Sequence, residues 1–528
     1  MNIKKTCAAI FISGLATALT SGIAVANEPT TIRVAAQAPL RLLDPIATTA
    51  YITRNHGYMV YDTLFALDEN LQLQPQMVDT WQASDDGLTY TFTLRDGLKF
   101  HDGSDVTSRD AIASIRRWAE RDLTGVRMLT MTDDLKEVDD KTFQIILKEP
   151  FGSVIDGLSK ASSLVPFIMP ERLAKQPASE PITEVVGSGP FRFVANEYRP
   201  GLQVVYERNP DYRPRPEPAS GLAGGKEVKV DRVVWLSLPD IQTEANALIK
   251  GEVDYIELVY PDVMESLENA PGVVVQRLSS TTTPTLRLNW QQPPFNNKLV
   301  RQALLHSISQ RDFMDAQVGN PDAYSVCGAL FGCTSDLASD VGVVHTKDQP
   351  DYETAKKLLK ESGYTNQKTV ALHATDYPPV SALAPMAVQA MQTIGMNAEM
   401  QAMDWATFLT RRGRTDPVEQ GGWSLAYGSW NTLDLISPLS NLNLDGRGLV
   451  GYAGWSESDE MEKLKDEFAR ATDKGERARV AERIQALAYD EVFYIPLGTY
   501  NDFSAHRNNV TPLLKAPVVV FWGIEKKN

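Results

Sequence analysis

The chain has 528 residues, a formal net charge of −15, and 43% hydrophobic and 8% aromatic residues. So acidic a balance excludes nucleic acid and an anionic membrane surface as electrostatic partners. At about 100–200 residues per domain, the length calls for several domains, each large enough to bury a core.

Residues 1–26 read as an export signal. Lys4 and Lys5 form a basic start, Ala8 to Leu19 is apolar, and Ala24-Val25-Ala26 gives the small-x-small pattern for cleavage after Ala26. Cys7 precedes the apolar run, so it is not placed for lipidation at a new N-terminus. No later stretch approaches about 20 uninterrupted apolar residues, so direct membrane insertion is not expected. The mature chain is expected to be exported.

TYTFTLRDGLKF reads as a strand with one buried face, because Tyr90, Phe92 and Leu94 alternate. HDGSDV then breaks it with Asp-Gly turn chemistry, and Thr107 with Asp110 opens a capped helix carrying Ala111, Ile112, Ile115 and Trp118. His101 stands alone there, without a second histidine at metal spacing, so this polar stretch reads as architecture. VGSGPFRFVANEYRPG and LQVVYERNPDYRP predict a strand pair, and RPRPEPASGLAGG (213–225) a surface loop. KVDRVVWLSLPDIQTEANALIKGEVDYIEL predicts strand, helix, strand, with Gly251 as the left-handed cap.

From about residue 290 the pattern alternates. NNKLVRQALLHSIS, YETAKKLLKESG and PVSALAPMAVQAMQTIG predict helices; TVALHAT and MNAEMQAM predict strands. That alternation implies an α/β unit with a largely parallel sheet. A charged helical pair over WSESDEMEKLKDEFARATDKGERARVAERIQALAYDEV precedes a last strand region, FYIPLGTY. Cys327 and Cys333, close together in an exported chain, predict a disulfide, with two free thiols as the alternative.

Chemistry-bearing motifs are decoys or missing. No G-x-S-x-G, H-E-x-x-H or C-x-x-C occurs. GLAGGK (221–226) has Ser220 where a phosphate loop needs glycine, and Glu227 where it needs Ser or Thr. NLNLDG (441–446) starts like a calcium loop, but its twelfth position is Tyr452 rather than glutamate. No catalytic residue, metal or cofactor is therefore nominated. Aromatic residues and arginines instead gather in DWATFLTRRGRTDPVEQGGWSLAYGSW (404–430), which suits a ligand cleft as well as a core.

WQASDDGLTYTFTLRDGLKFHDGSDVTSRDAIASIRR (81–117) resembles the periplasmic solute-binding proteins of ABC importers, extracellular family 5, the oligopeptide/dipeptide/nickel-binding group. The family reads L-R-x-G-x-x-F-x-D-G-x-x-x-x-A-x-D, and Ser108-Arg109-Asp110 replaces its Ala-x-Asp. GSGPFRF (187–193), NPDYR (209–213), LIKGEVDYI (248–256), PPFNNKLVRQALLHSIS (293–309) and YIPLG (494–498) support it, so the likeness spans essentially the whole exported chain.

The resemblance implies an α/β periplasmic binding protein fold of the large three-domain type. Domain I would comprise 27–65, 185–282 and 498–528, domain II the insertion 66–184, and domain III 283–497. Ligand would lie between domains I and III, which close by hinge motion near 280–290 and 495–500. It implies a monomer that carries a small-molecule or peptide ligand to an inner-membrane ABC permease. A non-peptide polar solute (opine, glycoside, modified amino acid or metal chelate) is the alternative ligand, and a secreted hydrolase assembled by the fold the alternative class.

Matching the family's ligand-facing segments residue by residue nominates Thr48, Thr49 and Tyr51 in ATTAYITRN, and Trp430, Asn431 and Asp434 in YGSWNTLDL. Asn431-Thr432 occupy positions where peptide binders carry the acid for the ligand's amine, which leaves Asp434 as the nearest candidate. Arg411 and Arg412 are neighbours on a helix and face different ways; Arg411 is nominated as the cation. Tyr377, at the carboxyl end of a predicted strand, completes the set.

Overall fold

A computed structural model describes residues 29–344 and 348–527. The export signal, with its cleavage after Ala26, lies outside the described residues. Its largest element is a twelve-stranded sheet running, in space, Phe191–Phe193, Gln203–Arg208, Arg232–Leu236, Thr31–Ala35, Tyr255–Ile256, Thr499–Arg507, Val273–Leu288, Leu425–Asn431, Thr369–Ala374 and Ala398–Met403, with two short strands off this path.

Helix crossovers explain where this sheet is parallel. Arg232–Leu236 and Tyr255–Ile256 flank Thr31–Ala35, both parallel to it, and helix Ile241–Lys250 connects them. Thr369–Ala374 and Ala398–Met403 are parallel and joined through helix Leu383–Thr393. Thr369–Ala374 is also parallel to Leu425–Asn431 on its other side, and the remaining pairings are antiparallel, including Val273–Leu288 with Leu425–Asn431. Within the unit that begins near residue 290, Leu425–Asn431, Thr369–Ala374 and Ala398–Met403 run parallel as the alternation predicted, while the sheet as a whole is mixed.

Val273–Leu288 is shared. Residues 273–282 pair with Thr499–Arg507 and residues 282–288 with Leu425–Asn431, with a register shift between Arg277 and Thr281. A separate four-stranded antiparallel sheet is built from Val78–Ala83, Thr89–Leu94, Thr142–Leu147 and Thr132–Glu137. Helix Ser108–Ala119 packs its Ala111, Ile115 and Trp118 into the core, and Trp118 Nε1 donates to the Leu164 carbonyl at 2.6 Å.

Local chemistry follows the sequence at most joints. Thr107 N–H and Oγ1 both donate to Asp110 Oδ2, at 2.7 and 2.8 Å, starting the predicted helix. His101 clasps the 187–189 loop: Nδ1 accepts from Gly187 N at 3.4 Å and Nε2 faces the Gly189 carbonyl at 3.1 Å. Burial lowers its pKa to about 4, so the ring is neutral at pH 7 and acts as a staple. Gly251 caps its helix at φ 76°.

Two expectations are corrected. PVSALAPMAVQAMQTIG forms two helices, Pro378–Ser381 and Leu383–Thr393, because Pro385 has no N–H to bond back to Ser381 and its ring crowds that carbonyl. The 213–225 stretch is only partly surface loop, since Gly221 to Lys226 are buried. Lys226 Nζ pairs with the buried Asp62 at 2.7 Å and lies over the Trp522 ring, which draws GLAGGK inward. In NLNLDG, Asp445 is gripped by Arg447 at 2.8 Å through both oxygens and takes the Tyr452 N–H. Cys327 and Cys333 are bonded, with Cα atoms 5.9 Å apart.

Candidate ligand-binding site

One cavity of about 970 Å³ opens where the shared strand meets its neighbours. Its walls come from the loop and helix start at 37–52, from 238–268, from 376–379, from 405–412, from strand residues 428–430, and from 500–503. That volume falls at the upper end of small-molecule sites and holds a short peptide-sized solute.

Five of the nominated residues line it: Thr48, Thr49, Tyr51, Tyr377 and Trp430. Tyr377 stacks on Trp405, ring centres 4.2 Å apart, and Trp405 stacks in turn on Phe408 at 5.0 Å. This fixes one aromatic wall. Trp430 is anchored by Nε1 donating to Thr285 Oγ1 at 3.2 Å and meets Tyr452 edge-on at 5.8 Å.

Three nominated residues stand off the cavity lining. Arg411 turns to its own loop, where Nε and Nη2 donate to the carbonyls of Gly421 and Gly422, both at 2.9 Å. Its neighbour Arg412 lines the cavity instead, with its guanidinium 5.6 Å from the Tyr452 ring centre. Of the two arginines, the structure turns Arg412 towards the cavity and Arg411, the one nominated, towards the 421–422 loop, which was not visible in the helical pattern. Asn431 is buried; its Oδ1 caps the Leu433 N–H and its Nδ2 donates to the Pro517 carbonyl at 3.3 Å.

Asp434 is the third correction. It is 3% exposed and saturated by protein hydroxyls. Tyr51 Oη donates to Oδ2 at 2.8 Å, Ser162 Oγ to Oδ2 at 3.0 Å, and Ser163 Oγ to Oδ1 at 2.7 Å. Tyr51 also accepts the Asn431 N–H at 2.7 Å. Ser162 in turn accepts from the buried Arg54 at 2.8 Å, so the carboxylate is balanced through a hydroxyl relay. Burial and the Asp434 charge push the Tyr51 phenol well up, keeping it a donor. Ser163 and Leu164 sit at φ 30° and 47°, a strained backbone that these bonds help to hold. Asp434 is a structural hub.

Several cavity residues escaped the sequence reading. Asp502 projects from strand Thr499–Arg507 and accepts from Thr282 Oγ1 at 2.8 Å; burial raises its pKa. Glu244 is raised to about 8 by burial, helped by Glu257 and Asp240. Tyr260 and Tyr500 complete the same wall, with both phenols pushed up by burial. One signal was present in the sequence: Tyr500 and Asp502 share a strand face, and an acid on an inward face needs a reason.

Among the described residues no cluster of His, Cys, Asp and Glu is placed to hold a metal ion, and no helix is long and apolar enough to cross a membrane. A model of the bacterial extracellular solute-binding proteins, family 5, matches residues 72–446. The chain is 38% identical over 499 residues to a probable peptide ABC transporter periplasmic-binding protein, y4tO, of Sinorhizobium fredii, covering 94% of this chain and 93% of that one. It is 24% identical to the glutathione-binding protein GsiB of Escherichia coli K12, covering 94% of each. Among solved structures, the binding protein AgaA of A. tumefaciens R10 with agropinic acid superposes at a TM-score of 0.79 and 20% identity, covering 94% of this chain and 99% of that one. DppA of Helicobacter pylori with the peptide STSA does so at 0.78 and 22%, covering 95% and 99%. Matched by the family across the chain's middle and by a relative along nearly all of it, the chain belongs to the bacterial extracellular solute-binding proteins, family 5.

Proposed function

We propose that this protein captures a peptide-like solute in the periplasm and hands it, chemically unchanged, to the inner-membrane permease of an ABC importer. The observation that carries the reading is a cavity of about 970 Å³ walled by separate chain segments, in a chain 38% identical to a probable peptide ABC transporter periplasmic-binding protein. We take the working form to be a monomer, exported by the signal ending at Ala26.

Domain I is 27–65, 185–282 and 498–528, domain II 66–184, and domain III 283–497, with closure about 280–290 and 495–500. The four-stranded sheet lying wholly within 78–147 and the shared strand at 273–288 support this division. Thr48, Thr49, Tyr51, Tyr377 and Trp430 contact the ligand from the cavity wall, with Arg412 in the cationic role.

A second reading, a non-peptide polar solute, gains from one observation: Asp434 is occupied by Tyr51, Ser162 and Ser163 and is not free for a peptide amine. Denaturing the protein purified from its native host and identifying the released molecule by mass spectrometry separates the two. A released peptide supports the first, and a released opine or glycoside the second. A hydrolase would convert added ligand over hours, whereas a carrier returns it intact.

A further inference from the structure

Six carboxylates face the cavity (Asp240, Glu244, Glu265, Glu268, Asp376 and Asp502) against one guanidinium, Arg412. Four of the six are accounted for without a ligand. Asp240 caps its own helix through the Thr243 N–H and Asp376 accepts the Trp405 N–H, at 2.8 and 2.7 Å. Glu265 and Glu268 are exposed at the rim, where water solvates them.

Asp502 and Glu244 differ from these. Each is half-buried in the cavity wall, and neither makes an ion pair with another described residue. Asp502 is hydrogen-bonded by the neutral hydroxyls of Thr282 and Ser280, and the Arg54 guanidinium acts on it only from beyond ion-pair distance. Around the two acids stand three tyrosines of the same wall. Tyr260 lies close enough to Tyr377, Tyr500, Glu244 and Asp502 for all four to act on its phenol. Tyr377 and Tyr500 in turn both feel Asp502. Aromatic faces attract cations through their quadrupole, and carboxylates beside them add a full charge.

We propose that Tyr260, Tyr377 and Tyr500, with Asp502 and Glu244, form a cage for an ammonium group of the ligand. The inference rests on the solute-capturing role and moves the amine-binding duty from Asp434 to a strand at the far end of the chain. A cation in the cage gives Asp502 the ionic partner it lacks. It also draws Glu244 into its charged form, so that two acids and three rings converge on one group.

The test uses the full exported chain, stripped of bound ligand by denaturation and refolding. Two probes are offered in native mass spectrometry: a synthetic pool of arginine-free di- to pentapeptides, and the same pool acetylated on every amine. The expected result is capture from the free-amine pool alone. Asp502→Asn should weaken that capture at least about 30-fold, the scale of stranding one member of a buried charge pair. Glu244→Gln and Tyr260→Leu should weaken it less, and they keep the test decidable if Asp502→Asn fails to fold. Equal capture from both pools overturns the cage and leaves the peptide reading intact. Capture from neither pool defeats the peptide reading, and the cage is then judged on a pool of non-peptide amines and its acetylated counterpart. Selective capture of the free amines that depends on Asp502 or Glu244 supports the cage; any other outcome overturns it.

Discussion

Replacing Asp434 by alanine separates a hub from a ligand contact. The substitution removes the acceptor of three hydroxyls, from Tyr51, Ser162 and Ser163, and takes away one of the carboxylates that balance the buried Arg54, leaving Glu257 and Asp502. Breaking one side of a buried charged arrangement costs about 3–5 kcal/mol. Unfolding entropy of about 2.1 cal/mol/K per residue gives roughly 1 kcal/mol/K for a chain of this length, so Tm should fall by about 3–5 °C. Asp434→Asn keeps the shape and one acceptor and should cost about half as much. Differential scanning calorimetry on ligand-free protein reads the fall, and titration with a bound solute reads the affinity. A hub predicts a lower Tm with the preference for charged over acetylated ligands retained. An unchanged Tm beside a 30-fold or greater loss of binding to amine-bearing ligands would refute the reasoning and return Asp434 to the ligand.

Lys226→Ala should destabilise by about 3–5 kcal/mol, because Asp62 is left charged and buried, and Lys226→Met, with Asp62→Asn alongside, should recover much of it; denaturant titration checks both. Protein isolated from the periplasm without reductant should show no alkylatable thiol at Cys327 or Cys333, and the double serine variant should lose about 2 kcal/mol, the loop-closure entropy of so short a ring. Stability should fall on acidification before the carboxylates titrate. Burial holds His56 at about 3 and His101 at about 4, both below the unfolded value near 6.5. Between those values the unfolded chain binds protons that the folded chain refuses, at about 2 kcal/mol for each histidine at pH 5. Their contribution is full above pH about 6.5 and drops as pH falls towards 4, while Glu244, raised to about 8, works in the opposite sense over the same range; His101→Gln should shift the change between pH 7 and 5 by about 2 kcal/mol towards stability in a melting series.

Elements were legible wherever their cause lies within a few residues. The Thr107–Asp110 cap, the Gly251 terminator and the alternating Phe92 and Leu94 each carry their reason locally. The site was half legible for the opposite reason. Tyr51 and Trp430 could be placed from the family pattern, but the direction of Asp434 is decided by serines 271 and 272 positions away. Arg411 and Arg412 differ by one helical step, and only the 421–422 loop tells them apart. Asp502 was hidden by distance as well: its hydroxyl partner Thr282 is 220 residues earlier, on the neighbouring strand. Local pattern fixes an element's existence, while long-range pairing fixes where its side chains look.

The shared strand Val273–Leu288 makes opening a matter of torsion. Both halves of the sheet are joined through this strand and through the chain near 495–500 beside it, so a closure of the proposed kind would twist this backbone rather than slide across a seam. Twist costs least where ladder bonds are missing. Between Arg277 and Thr281 three residues of this strand, Leu278–Ser280, oppose a single residue of its partner, Asp502, a bulge that bends the chain and increases its twist. The strand therefore works as a torsion bar whose compliance sits in Leu278–Ser280. Thr282 follows directly, lines the cavity and holds Asp502, so the floor beneath the ligand turns with the bar. The site is thus loaded mechanically by the same backbone that lets it open.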